Sequence, residues 1–145
     1  MASVIGVQTD LAARLRLVVT RLGRKLRRHG GGDLTPSQAS ALSSLERLGP
    51  MTLGELSSVE NIRPPTLTKV VAALEEQGLV ARQADPSDRR VARVEATVQG
   101  SALLAESRSR SNAYLAARLR ALPAEDVAVL ERAVELLEQL VEEEE

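Results

Sequence analysis

Two adjacent arginines, Arg89 and Arg90, stand in the polar tip of the stretch DPSDRRVARVEAT, residues 85–97, between two short runs that read as strands. Guanidinium groups carried on a thin hairpin suit the narrow, strongly negative minor groove of A·T-rich duplex DNA. Asp88 is placed to pair with Arg90 and so to fix the shape of the tip. A second set lies upstream in ENIRPPTLTKVVAALEEQG. There Arg63 can donate two bonds to guanine. Thr66 and Thr68 can bond bases or phosphates, or press methyls on thymine, and Lys69 is placed for phosphate. Taken singly, any of these side chains could belong to a solvated helix face. Their occurrence together is what suggests nucleic acid.

Other chemistries find little support. The 145 residues contain no cysteine, which excludes disulfides, thiolate metal sites and cysteine redox sensing. The single histidine, His29, cannot build a multi-histidine zinc site. No nucleotide-binding glycine pattern and no nucleophile–histidine arrangement is present, so neither an enzyme nor a cofactor is expected. With 43% apolar and 27% charged residues the composition is that of a folded domain. No apolar run approaches the roughly 20 residues that cross a bilayer, so no membrane partner is expected. The opening MASVIGVQTD lacks a basic region followed by an apolar one, and the cytoplasm is the expected location. Net charge is only −1, but it is unevenly spread. Residues 1–30 hold seven basic side chains against Asp10, and residues 124–145 hold nine acidic ones against Arg132. Such asymmetry fits chain ends that lie near each other or near a partner's opposite end, although solvated helix faces and a frayed EEEE tail would also produce it.

The elements that must position the arginines can be read from periodicity. Leu11, Leu15, Val18, Leu22 and Leu26 form one stripe of a helix from about Gln8 to Arg28, which Gly30, Gly31 and Gly32 break. Thr35 to Gln38, TPSQ, is a capping box that opens a helix with Ala39, Leu42, Leu45 and Leu48 inward, closed by Gly49-Pro50. Thr52 to Glu55, TLGE, is a second capping box before a short helix burying Leu53, Leu56 and Val59. Pro64 and Pro65 fit only a first turn, so a further helix starts near Arg63, with Leu67, Val70, Val71 and Leu74 inward and Gly78 as its stop. Strands are expected over Leu79–Ala84 and Val91–Ala96, joined through a type I turn at Asp85-Pro86-Ser87-Asp88. Thr97 then caps a long helix to about Leu119. Pro123 starts a last helix with a heptad-like seam of Val127, Leu130, Val134, Leu137 and Val141. Two short capped helices followed by a basic hairpin make a winged helix-turn-helix, in which one helix enters the major groove while the wing reaches the flanking minor groove.

These motifs carry a resemblance. LGELSSVENIRPPTLTKVVAALEEQGLVAR followed by DPSDRRVARVEATVQG resembles the MarR family of winged-helix transcriptional regulators, over nearly the whole chain from about Gln8 to Val141. Asp88-Arg89-Arg90 and Ala96-Thr97-Val98-Gln99-Gly100 match the family's D-x-R wing and L-T-x-x-G segment, with Ala96 in place of the usual leucine. The resemblance implies a mainly α fold with a small β-hairpin wing. It implies a winged helix-turn-helix DNA-binding domain at residues 34–97 between helical dimerisation regions at 1–33 and 98–145. It further implies a DNA-binding surface of Arg63, Pro64, Pro65, Thr66, Thr68, Lys69, Arg82, Ser87, Asp88, Arg89 and Arg90, with Arg90 in the minor groove.

The resemblance also implies an obligate homodimer built from the terminal helices, and the uncovered apolar stripes at both ends argue for it independently. Leu11, Leu15, Leu119, Leu130, Val134 and Leu137 are the expected contacts. Two modules on a two-fold axis would read a pseudo-palindromic operator with half-sites about one helical turn, ~10 bp, apart. Regulators of this kind usually repress, and many are released by small anionic or phenolic effectors lodged between dimerisation helices and winged module. Arg14, Arg16, Leu17, Leu45, Met51 and Tyr114 are the residues expected near that crevice. Tyr114 is the only aromatic residue, so an aromatic-walled pocket is not expected. The absence of cysteine argues against the family's peroxide-sensing branch, and the lone histidine against its zinc-sensing one. A competing reading is a helical adaptor that binds protein through its acidic and basic ends. It predicts no salt-dependent DNA affinity.

Overall fold

The structure is a computed structural model that describes residues 2–31 and 33–142. Gly32 and the last three glutamates of the acidic tail lie outside the described residues. The order of elements is α1 (Ala2–His29), α2 (Pro36–Leu48), β1 (Met51–Thr52), α3 (Leu53–Glu60), α4 (Pro64–Glu76), β2 (Val80–Ala84), β3 (Ala92–Ala96), α5 (Val98–Arg120) and α6 (Ala124–Glu142). No helix among the described residues is long and apolar enough to cross a membrane. The first helix begins six residues earlier than the sequence suggests, and its added turns leave Val4, Ile5 and Val7 exposed.

Both capping boxes form. The Thr35 hydroxyl accepts from the Gln38 N–H at 3.2 Å while the Gln38 amide oxygen accepts from the Thr35 N–H at 3.2 Å. Thr52 and Glu55 exchange the same pair of bonds, each at 3.1 Å. Each box satisfies two N–H groups that a helix start leaves without partners, and each cap contributes about 1 kcal/mol. These caps fix where α2 and α3 begin, and with them the angle at which α4 is presented.

The core lies within the middle of the chain. Leu42, Leu45, Leu56, Leu67, Val71, Leu74 and Val94 are fully buried, and each such side chain contributes roughly 1.5–3 kcal/mol by leaving water. Two expected inward residues are not part of it: Leu48 and Val59 are about half exposed, at 51% and 45%. Each sits in the last turn of its helix.

The sheet has three strands in the order β1-β3-β2, all antiparallel, with Met51 opposite Val94 and Val80 opposite Ala96. The third strand, β1, is only two residues long and carries no alternation, so periodicity does not reveal it. Thr52 ends the strand and caps α3 at once. The wing also turns differently from the expected type I turn at residues 85–88. The Asp85 carboxylate accepts from the Ser87 N–H at 2.8 Å, closing an Asx turn, and the main-chain turn comes later, where the Val91 N–H donates to the Asp88 carbonyl at 3.0 Å.

Thr97 locks the start of α5 to the base of the hairpin. Its hydroxyl donates to the Gly78 carbonyl at 2.7 Å and accepts from the Gly100 N–H at 3.0 Å, while its N–H donates to the Leu79 carbonyl at 3.0 Å. From there α5 runs back to α1. Buried Gly30 meets Ser107 and Ser111, and the Ser111 hydroxyl donates at 2.9 Å to the Leu26 carbonyl, which also accepts from the Gly30 N–H at 2.8 Å, so α5 is tied to the last turn of α1. The seam of α6 remains open: none of its residues is buried, and Val129, Val134, Leu140 and Val141 face solvent.

Candidate nucleic-acid interface

Arg63 precedes α4 as its N-cap, in extended conformation and without a side-chain cap bond. Pro64 and Pro65 follow in the first turn, where their missing N–H groups remove two donors that would otherwise need partners. Arg63, Pro64, Pro65, Thr66, Thr68 and Lys69 are all exposed, while Leu67 among them and Val71 a turn later are fully buried. The helix is thus seated by one face and presents the other. The Thr68 hydroxyl donates to the Pro64 carbonyl at 2.9 Å, which leaves its oxygen as an acceptor and its methyl outward.

Arg89 and Arg90 occupy the exposed tip of the wing. Asp88 accepts from the Arg90 N–H at 3.0 Å, and its carboxylate lies 3.6 Å from the Arg90 guanidinium. The Arg90 side chain is 95% exposed, so this pair restrains the arginine without neutralising it. Ser87 sits in the wing's loop, with both its N–H and its hydroxyl turned to Asp85 at 2.8 and 2.6 Å. Arg82, expected among the DNA-contacting side chains, instead directs its Nε at both oxygens of Glu75 at 3.1 Å, tying β2 to α4.

The feature that sequence reading missed is the anchor of the wing's loop. Asp85 is buried, and its second oxygen accepts from Arg93 Nε at 2.8 Å. Arg93 also reaches Glu55 at 3.4 Å, and the same Glu55 oxygen accepts from the Thr52 N–H. Hydrogen bonds from the Ser87 hydroxyl and N–H, and then from Arg93, hold the Asp85 carboxyl well below the usual carboxylate range. Asp85 in turn pushes the Arg93 guanidinium up. The wing is therefore joined through Arg93 to the capping box of α3. The hairpin register carried a signal: Gln83 lies opposite Arg93, which makes Asp85 its diagonal neighbour across the strands.

The six residues expected around an effector crevice are not brought together. Leu45 and Met51 are buried in the winged unit's own core, Met51 opposite Val94. Tyr114 stacks on His29, ring centroids 3.7 Å apart, with Arg118 donating to its hydroxyl at 3.0 Å. Arg14, Arg16 and Leu17 are exposed on α1, and at 1.5 Å per residue Arg14 lies about 22 Å along the helix from His29. The cleft that does exist at the junction of α1, α2 and α5 includes Arg27, Asp33, Glu106, Ser107 and Arg110 in its wall and holds about 40 Å³. Among the described residues no cluster of side chains is arranged to hold a metal ion.

Known proteins share this arrangement. The MarR family model matches residues 34–92. An uncharacterized HTH-type transcriptional regulator of Mycobacterium leprae is 37% identical over 134 residues, covering 92% of this chain and 94% of its own. A MarR family protein from Bacillus stearothermophilus superposes with a TM-score of 0.76 at 30% identity, over 92% of this chain and 94% of that one. A mutant MarR from Escherichia coli complexed with operator DNA gives a TM-score of 0.66 at 25% identity, over 88% of this chain and 93% of that one. With this relatedness over nearly its full length, and with a three-stranded wing set behind two capped helices, the chain belongs to the MarR family of winged helix-turn-helix transcriptional regulators.

Proposed function

We propose that the protein is a sequence-specific double-stranded DNA-binding repressor that acts as a homodimer on a pseudo-palindromic operator. One observation carries the reading: the exposed end of α4, from Arg63 to Lys69, and the arginine tip of the wing, Arg89 and Arg90, project from one rigid unit whose buried faces fix both. The helix is the right width for the major groove and the tip for the adjacent minor groove. The complex of the related Escherichia coli protein with operator DNA supports a DNA-binding role here. Apolar stripes left open on α1 and α6 supply the surface for a second copy.

Release by a small anionic or phenolic effector belongs to the same proposal. The junction cleft bears Arg27 and Arg110 but also Asp33 and Glu106, the last paired with Arg110, and about 40 Å³ is room for a few waters and no aromatic ligand. A ligand must therefore favour a more open junction, and only that difference in affinity between conformations would move the winged units off the operator. Selecting bound duplexes from a random pool tests the DNA reading. Enrichment of an inverted repeat with half-sites about one helical turn apart is the expected result. Recovery of no preferred sequence at low salt overturns it.

A further inference from the structure

Away from the DNA-facing surface, two charge stripes have no role in the mechanism above. On α1, Arg14, Arg21, Lys25 and Arg28 recur at steps of seven, four and three, so they run along one flank of the apolar stripe. Arg21, Arg24, Lys25 and Arg28 surround one shallow depression with no carboxylate in its lining. On α6, Glu131, Glu135, Glu138 and Glu142 recur at steps of four, three and four along one flank of the Leu130–Val134–Leu137–Val141 seam. A groove there is formed by Val134, Leu137 and Val141 together with Glu138 and Glu142.

Within the chain these groups stay unmatched. Among the described residues the only ion pair that either stripe makes joins Glu135 to Arg132, on α6 itself, at 2.7 Å. α1 packs on α5, not along α6. Like charges three and four residues apart repel, so each stripe is unfavourable until an opposite one covers it. The lengths agree: the basic stripe spans about 21 Å and the acidic one about 16 Å at 1.5 Å per residue.

We infer that the stripes meet between copies, the basic flank of α1 in one protomer lying against the acidic flank of α6 in its partner. Charge then selects the second copy, beyond the apolar burial that any exposed seam would supply. This rests on the dimer reading above. A DNA backbone could cover the basic stripe, but it would leave the acidic seam and both apolar stripes in water. A second copy covers all of them at once. Complementary flanks of this kind set which chain is accepted more than how tightly it is held, so a related regulator with other charges on these flanks is refused.

The test uses the full chain and two charge-reversed forms, Arg21→Glu/Lys25→Glu/Arg28→Glu and Glu131→Lys/Glu135→Lys/Glu138→Lys. All six positions are exposed, so the folded core is untouched. Each variant alone is expected to dimerise at least ~10-fold more weakly, since like charges now oppose each other twice across the two-fold axis. Mixed in equal amounts, the two should form a heterodimer, visible as the intermediate mass in native mass spectrometry. Pairing within one chain would give no such rescue. The wild-type dimer should also weaken as salt rises, which needs no variant. Variants that homodimerise like wild type, a mixture that stays unpaired, or a wild-type dimer indifferent to salt would each overturn the inference while leaving a DNA-binding dimer intact. A wild-type chain that is monomeric at micromolar concentration would remove the dimer reading with it.

Discussion

At the scale of single residues two of the hairpin's arginines, Arg90 and Arg93, do opposite things. Arg90 is solvated and touches only Asp88, so removing it leaves the fold alone. Arg90→Ala should weaken operator binding by about 1–3 kcal/mol and lower the salt slope by about one, with the unfolding transition unchanged. Fluorescence anisotropy across a salt series checks it, and an unaltered affinity would place the tip away from DNA. Arg93 holds the wing through Asp85 and Glu55. Because the folded Asp85 carboxyl lies below its ordinary value of 3.8, its contribution is fully present above that pH and is lost only as pH falls through the lowered value. Asp85→Asn should therefore lower stability at neutral pH and flatten the acid limb of the stability curve, as read by urea unfolding at several pH values. An acid limb identical to wild type would show that Asp85 does not carry it. Arg90 was legible in the sequence because a turn with adjacent arginines is a local pattern. The Asp85–Arg93 pair was not, since it exists only once the strand register is known.

At the scale of elements, the legible parts were those with local causes: two capping boxes, two prolines in a first turn and 3.6-residue stripes placed five of the six helices to within a few residues. What escaped depends on neighbours. The two-residue β1 exists because Met51 and Thr52 pair with Val94 and Arg93, and Leu48 and Val59 are exposed because no neighbour among the described residues covers the ends of α2 and α3. Gly100 shows how tightly one such junction is made. A Cβ there would stand 2.1 Å from the Leu79 carbonyl oxygen, the same oxygen that accepts from the Thr97 N–H. The clash is with backbone on both sides, so relief requires α5 to lift off the hairpin. Gly100→Ala should thus cost at least ~1–3 kcal/mol, despite the alanine's better helix propensity, and should lower the melting temperature. A melting temperature equal to wild type would mean that α5 is not seated as described. The replacement of the usual leucine by Ala96 has a milder meaning: half-buried opposite Val80, it thins the strand's contact without opening it.

For the whole molecule, fold and assembly separate along the chain. All seven fully buried large side chains lie between Leu42 and Val94, whereas α1 and α6 carry most of their apolar residues into solvent. Leu11 is 58% exposed and Val134 51%, and each lies in a continuous apolar stripe, the kind of surface that marks an interaction site. Leu15, Leu119 and Leu137 are half-buried, at the edges of the same stripes, and Leu130 is exposed beside them. The six expected dimer contacts are therefore accessible at the surface of one chain. Deleting α6 from Pro123 onward removes no buried side chain among the described residues, so the winged unit should keep its cooperative unfolding. The dimer, however, should be lost. With it goes the gain from holding a second winged unit beside its half-site, typically ~10²–10⁴ in affinity without any new contact. The truncated chain should sediment as a monomer, retain its helical circular dichroism apart from the deleted helix, and fail to shift operator DNA at concentrations where the full chain shifts it completely. A truncated protein that remains dimeric and binds normally would mean that α1 and α5 suffice for the two-fold contact, and would reassign the open seam of α6 to another partner.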